Sequence, residues 1–241
     1  LRGGGQFSGR MTAPLVAAGA VAKEMLRGLN VQIAAYTQRL GGVEDDQERT
    51  FKEVKRQAKE NPVRSADPAL ALDMIHEIME AKHEGDSVGG IVRCLAVGLP
   101  MGVGEPFFDS LEGEIAKMMF SIPGVKGIEF GAGFRAASMR GSEHNDSFQV
   151  VDGEVSTITN NAGGVLGGLS NGMPLDIKVA FKPTASIAIE QRTIDLDRME
   201  DTTIKVEGRH DPCIVPRAVV VVEAATALVL ADLCLRGDFI A

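Results

Sequence analysis

Residues 216–236 read PRAVVVVEAATALVLADLCLR, the longest apolar run in the chain. The fold turns on whether this run crosses a membrane or fills a core. From Ala218 to Leu235 it is long enough to be a transmembrane candidate. Glu223 and Asp232 interrupt it, however, and Arg217 and Arg236 bound it. Acidic groups are costly in hydrocarbon. We therefore read a long buried helix after Pro216, in a soluble protein that makes no use of a membrane.

Just ahead of that helix stands Gly208-Arg209-His210-Asp211-Pro212-Cys213. A cation, an imidazole and a carboxylate stand in a row between Gly and Pro, and charges are rarely buried without partners. The run fits either chemistry at the mouth of the helix or a structural salt-bridge cluster.

Working outward, Leu175 to Phe181 alternates as a strand, with Leu175, Ile177, Val179 and Phe181 on one side and Asp176 and Lys178 on the other. Val31–Thr37, Val88–Leu99 and Val125–Phe130 also read as strands. Helical spacing runs from Thr12 to Leu29, with Thr12 as cap, Pro14 in the first turn, and Gly28 and Asn30 as the stop. Asp67-Pro68 opens a second helix to about Glu84, and Phe108–Ser121 reads as a third. Glu44 to Pro62 is highly charged and reads as an exposed helix or excursion with a solvated face. From Gly131 to Lys205 the pattern becomes short strands and loops. Strands and helices mix without a fixed βα period, which predicts one α+β layered domain over residues 1–241.

Composition narrows the function. The 241 residues are 44% hydrophobic and 24% charged, which is ordinary globular usage. Aromatics at 5% offer little for base stacking, and a net charge of −8 disfavours nucleic acid. A small anionic ligand is allowed if a few Arg and Lys side chains converge. Cys94, Cys213 and Cys234 form no CxxC or Cys/His metal pattern, which suits a reducing, cytoplasmic setting without a bound metal. Of the four histidines, His76 and His83 sit in a helical stretch and read as solvated or structural. No signal-peptide pattern opens the chain at Leu1, which reads as the middle of a longer protein.

Several Gly-rich segments could bring backbone close to an anion. Gly4 to Arg10 has Gly-x₄-Gly spacing but lacks the Lys-Ser/Thr of a P-loop, so a nucleotide-triphosphatase reading fails. Ser8 and the following backbone could still form an anion site at a helix start, or the segment is an ordinary loop-to-helix junction. Asn160 to Gly168 fits a tight strand crossing or a ligand-facing loop. Lys182-Pro183-Thr184-Ala185-Ser186 offers a cation and two hydroxyls beside a fixed turn, or simply a solvated strand end. Glu143-His144-Asn145-Asp146 has no metal-ligand spacing and reads as a polar loop.

Taken in order, these segments resemble the chorismate synthase family. The resemblance is carried by Gly3 to Arg10 with Thr12-Ala13, Val16 to Ala20, Gly85 to Gly90, Gly102 to Pro106, Ser121 to Gly127, Gly141 to Asp146, Thr159 to Gly164, Phe181 to Thr184, and Gly208 to Pro212. It implies a β-α-β sandwich, here incomplete at its N-terminus, and a homo-tetramer. It implies reduced FMN as cofactor and a 1,4-anti elimination of phosphate from 5-enolpyruvylshikimate 3-phosphate, a small anionic substrate, to give chorismate. By the same resemblance flavin contacts fall on Gln6, Phe7, Ser8, Pro123, Gly124, Gly167, Lys182, Pro183, Thr184, Ala185, Ser186 and Arg209. Arg10 and Arg209 match arginines near the substrate, and Asp211 matches an acidic residue that handles a flavin proton. Gln6 stands where many members carry Arg, and the family's Ser-Gly-Glu-Ser-His-Gly motif and a second catalytic His have no match among these 241 residues. The alternatives are a non-catalytic flavin- or anion-binding fragment and an oligomerisation module.

Overall fold

A computed structural model describes residues 8–206, 208 and 210–240. After a 3₁₀ turn at Gly9–Thr12 come α1 (Ala13–Arg27), β1 (Gln32–Leu40), β2 (Val43–Glu44), α2 (Phe51–Gln57), α3 (Pro68–Glu84), β3 (Gly90–Val97), α4 (Leu111–Phe120) and β4 (Val125–Phe130). The second half holds α5 (Gly141–His144), β5 (Phe148–Val151), β6 (Glu154–Thr157), β7 (Val165–Leu166), β8 (Leu169–Ser170), β9 (Leu175–Phe181), β10 (Gln191–Asp195), β11 (Glu200–Ile204) and α6 (Val215–Arg236). The mixture is α+β, as the sequence patterns predict.

Five strands form one sheet in the order β2-β1-β3-β9-β4, with every neighbouring pair antiparallel. Val92 pairs with Val179, which in turn faces Ile128. Because side chains alternate along a strand, Leu175, Ile177, Val179 and Phe181 all point to one face and are all buried. The helix layer covers that face. Cys94 on β3 meets Thr226 of α6, sulfur to oxygen 3.6 Å.

The run that opens at Pro216 is α6, buried over 72% of its most apolar stretch. Length and a mean hydropathy of 2.2 would let it cross a membrane, but here it is the central helix of the core. Most of its burial comes from α1, the sheet and α4 of this same chain. Against it lies α1, whose Gly19, Ala22 and Leu26 form the buried stripe. At Gly19 the two helices touch: a Cβ there would stand 2.5 Å from the Cβ of Ala224. Lys23 and Glu223 form an ion pair across the same seam. Of the implied β-α-β sandwich, the described residues supply one large sheet and the helices packed on it.

Other local expectations are corrected. Thr12 precedes α1 but does not cap it; its hydroxyl donates to the Gly9 carbonyl at 2.6 Å, closing the 3₁₀ turn instead. The charged stretch 44–62 is not simply a solvated face. Val54 and Ala58 of this stretch pack on Ala34, Tyr36 and Leu95 from the second side of the sheet. Asp45 is fully buried and holds Arg49 through both oxygens at 2.8 Å, while Arg49 also reaches Asp67 at 2.7 Å. On the same side Asp176 is buried, and Arg93 donates to it twice at 2.8 and 2.7 Å.

Candidate functional site

A cavity of about 990 Å³ opens where the stretch holding Pro62 and Arg64 meets four other segments. The Ser8–Val16 segment at the start of α1 supplies one part of its lining, and the turn Ile122-Pro123-Gly124 ahead of β4 another. The end of β9 with Lys182 to Ser186 supplies a third, and Asp211 with the first turns of α6 a fourth. Val16, Ile122, Phe181, Val220 and Val221 make its walls apolar. Among the described residues, Arg10, Arg64, Lys182 and Arg217 bring positive charge, against the single acid Asp211.

Hydrogen bonds hold these segments in place. Ser8 starts the 3₁₀ turn, its Oγ accepting from the Arg10 amide at 3.3 Å. Gly124 has φ +94°, a conformation that glycine adopts without the steric cost of a side chain. Its carbonyl accepts from the Lys182 amide at 2.9 Å, and a Cβ would come within 2.9 Å of Ile214. Thr184 lines the cavity but commits its hydroxyl proton within the protein. It donates to the Asp211 carbonyl at 2.8 Å, while Ser87 donates to the Thr184 carbonyl at 2.7 Å. The Val88 amide adds a bond to the Pro212 carbonyl at 2.8 Å. The backbone around Asp211 is thus stitched to two neighbouring segments, and its carboxylate pairs with Arg217.

Ser8, Arg10, Pro123, Gly124, Lys182, Pro183, Thr184, Ala185, Ser186 and Asp211 therefore converge from distant points of the chain. Gly167 does not join them. It forms the tight β7–β8 turn at φ +62° and is absent from the cavity lining. Gln6, Phe7 and Arg209 lie outside the described residues. His210 turns to the Val206 carbonyl, 2.9 Å from its Nε2. Sequence reasoning missed Arg64 and Arg217. Arg217 had a signal, since it sits one turn into a helix that starts beside Asp211. Arg64 lay in the stretch read as an excursion and its flank.

Two further motifs serve architecture. The Asp146 carboxylate accepts from the Thr159 hydroxyl and the Asn161 amide, both at 2.7 Å, and from the Ala162 amide at 2.9 Å. Burial alone would raise this carboxyl, but the three hydrogen bonds outweigh it and hold the group below its ordinary value. The Gly141–Asp146 segment is thereby a clasp on the Asn160–Gly164 loop. That loop in turn meets Gly131, where a Cβ would fall 2.2 Å from the Asn161 carbonyl oxygen.

An antiparallel α+β layer whose apolar-walled cavity is bordered by Arg10, Arg64, Lys182 and Arg217 has the chemistry to hold a small anion. The chorismate synthase family model matches residues 1–235. The chorismate synthase of Dehalococcoides mccartyi (strain ATCC BAA-2100 / JCM 16839 / KCTC 5957 / BAV1) is 50% identical over 99% of this chain and 65% of its own length. That of Korarchaeum cryptofilum (strain OPF8) is 51% identical over 98% of this chain and 65% of its own. A crystal structure of chorismate synthase superposes with a TM-score of 0.80 at 30% identity, covering 95% of this chain and 64% of that one. The chain belongs to the chorismate synthase family. It spans just under two thirds of the length of these relatives.

Proposed function

We propose that the full-length protein is a carbon–oxygen lyase that eliminates phosphate from 5-enolpyruvylshikimate 3-phosphate to give chorismate in the shikimate pathway. The observation that carries this reading is the convergence of Arg10, Lys182, Arg217 and Asp211 on one apolar-walled cavity, in a chain of this family. Departing phosphate and two carboxylates need fixed cations, and guanidinium groups supply bidentate donors.

The residues present fit a flavin. Val16, Ile122, Phe181 and Val221 offer a surface for a flat ring. Gly124 presents bare backbone at the cavity, where a Cβ would instead collide with Ile214, and Lys182 with Ser186 borders the cavity as partners for a phosphate tail. Reduced FMN, when bound, supplies electrons that no side chain can. Asp211 holds a carboxylate at the cavity for proton exchange, oriented by Arg217 and by the bonds to its own backbone. The family resemblance assigns a further cation to Arg209, which lies outside the described residues.

Phosphate release from the enolpyruvyl substrate by the full-length protein, given reduced FMN anaerobically, tests the proposal. No release overturns it, and saturable FMN binding without release favours a non-catalytic binding module. A reducing cytoplasm suits the three unpaired, buried thiols. We also propose a homo-tetramer. The β5–β6 hairpin leaves Phe148, Val150 and Val155 more than 60% exposed, which suits contact between subunits. A monodisperse monomer in light scattering would count against it.

A further inference from the structure

Arg64 lies outside the sequence motifs quoted above, though within the residues that the family model matches. It reaches the cavity from the loop between α2 and α3, a part of the chain that otherwise serves the second face of the sheet. Its backbone sits at φ +57°, a left-handed conformation that costs a side-chain-bearing residue roughly 1–2 kcal/mol. The surrounding structure enforces it. Asn61 accepts from the Ser65 amide at 3.0 Å and donates to the Ser65 carbonyl at 2.8 Å, clamping the turn on both edges. On the sheet side, the Arg64 carbonyl accepts from the Thr37 amide at 2.9 Å, and the Val63 carbonyl accepts from the Thr37 hydroxyl at 2.6 Å. A turn so fixed would be relaxed with Gly, yet it carries the longest cationic side chain available. Strained residues of this kind collect at ligand clamps.

The charge has a use in the cavity. Arg64 is partly buried and enters no ion pair among the described residues. Arg64 also lines a small crevice with Val54, Ala58 and Glu223, so a packing role is the competing account. Packing alone does not require a cation, and Met or Leu would fill the crevice without the charge.

We propose that Arg64 is an anion-binding residue of this site, holding a phosphomonoester from a wall that the Lys182 and Asp211 segments do not reach. The proposal rests on the functional reading above. Two sources offer that chemistry: the tail of the flavin and the leaving phosphate of the substrate.

The test uses full-length protein carrying Arg64→Gly, Arg64→Ala and Arg64→Lys. Affinity is measured for FMN against riboflavin, and for shikimate 3-phosphate against shikimate. Loss of one charge-assisted contact should weaken binding of the phosphorylated member of one pair by roughly 10- to 100-fold, leave its unphosphorylated counterpart unchanged, and be partly restored by Lys. The affected pair identifies the source. Arg64→Gly should melt no lower than the parent, because the left-handed turn is relaxed. Unchanged affinities in all three variants overturn the proposal. So does a lowered melting temperature of Arg64→Gly with both affinities intact, which would establish packing. If the unaltered protein binds FMN and releases phosphate while the variants match it, only the role of Arg64 fails. If the unaltered protein does neither, the functional reading itself fails.

Discussion

At the scale of single residues, Asp211 and Asp146 separate chemistry from architecture. Both are carboxylates in Gly-rich, family-related segments, but their partners differ. Asp211 faces a cavity and an exposed arginine. Asp211→Asn keeps shape and hydrogen bonding, so FMN binding by the full-length protein should survive while turnover falls by roughly 10²–10⁴-fold. Rapid turnover combined with a lowered melting temperature would instead make Asp211 a salt-bridge residue.

Asp146 is spent on three protein donors. Its pKa is depressed in the fold, below an ordinary value of 3.8. Its contribution is therefore complete above about pH 4 and is lost as the pH falls through the folded-state value. Asp146→Asn should cost about 1–3 kcal/mol at neutral pH and remove this part of the acid sensitivity. Denaturant titrations of both proteins between pH 7 and pH 3 give the comparison, and parallel curves would deny the clasp its role.

Among elements, legibility followed the source of the periodic signal. Helix α3 was plain from Asp67-Pro68 onward because cap and proline coincide, and Asp67 does accept from the Ala69 and Leu70 amides. Strand β9 was plain because alternation survives even with both faces covered. The burial of Asp176 was not, since only the fold reveals that Arg93 stands opposite. Helix α2 was obscured because charged residues surround the short apolar contact made by Val54 and Ala58. Gly124 and Pro183 entered the expected site only through the family resemblance, since Lys182 to Ser186 read alone as a solvated strand end. Arg64 was illegible because a left-handed arginine leaves no trace in composition or spacing.

The seam between α1 and α6 gives a sharp test of this packing. Gly→Ala normally stabilises a helix, but at Gly19 the added carbon meets Ala224 at 2.5 Å. Gly19→Ala should destabilise by about 1–3 kcal/mol, and a second change, Ala224→Gly, should recover much of the loss. Equal stability of the single variant and the parent in urea would show that the helices part without cost.

For the whole molecule, the three cysteines report on the integrity of the core. Cys94 and Cys234 are fully buried and Cys213 is nearly so. Burial pushes the Cys94 thiol up to about 12 and those of Cys213 and Cys234 to about 11. A thiol-directed reagent at pH 8 should find none of them in the folded protein and all three in denaturant. Stoichiometric labelling under native conditions would mean that the helix layer opens readily.

The pairing of α1 with α6 also governs how the chain is made. Lys23 and its partner Glu223 lie 200 residues apart. At a ribosomal pace of roughly 5–20 residues per second, α1 waits about 10–40 s for α6. Throughout that interval its buried stripe of Gly19, Ala22 and Leu26 has no native cover. Until α6 emerges the stripe stays open to other chains, so a translation product that stops short of α6 should be prone to aggregate.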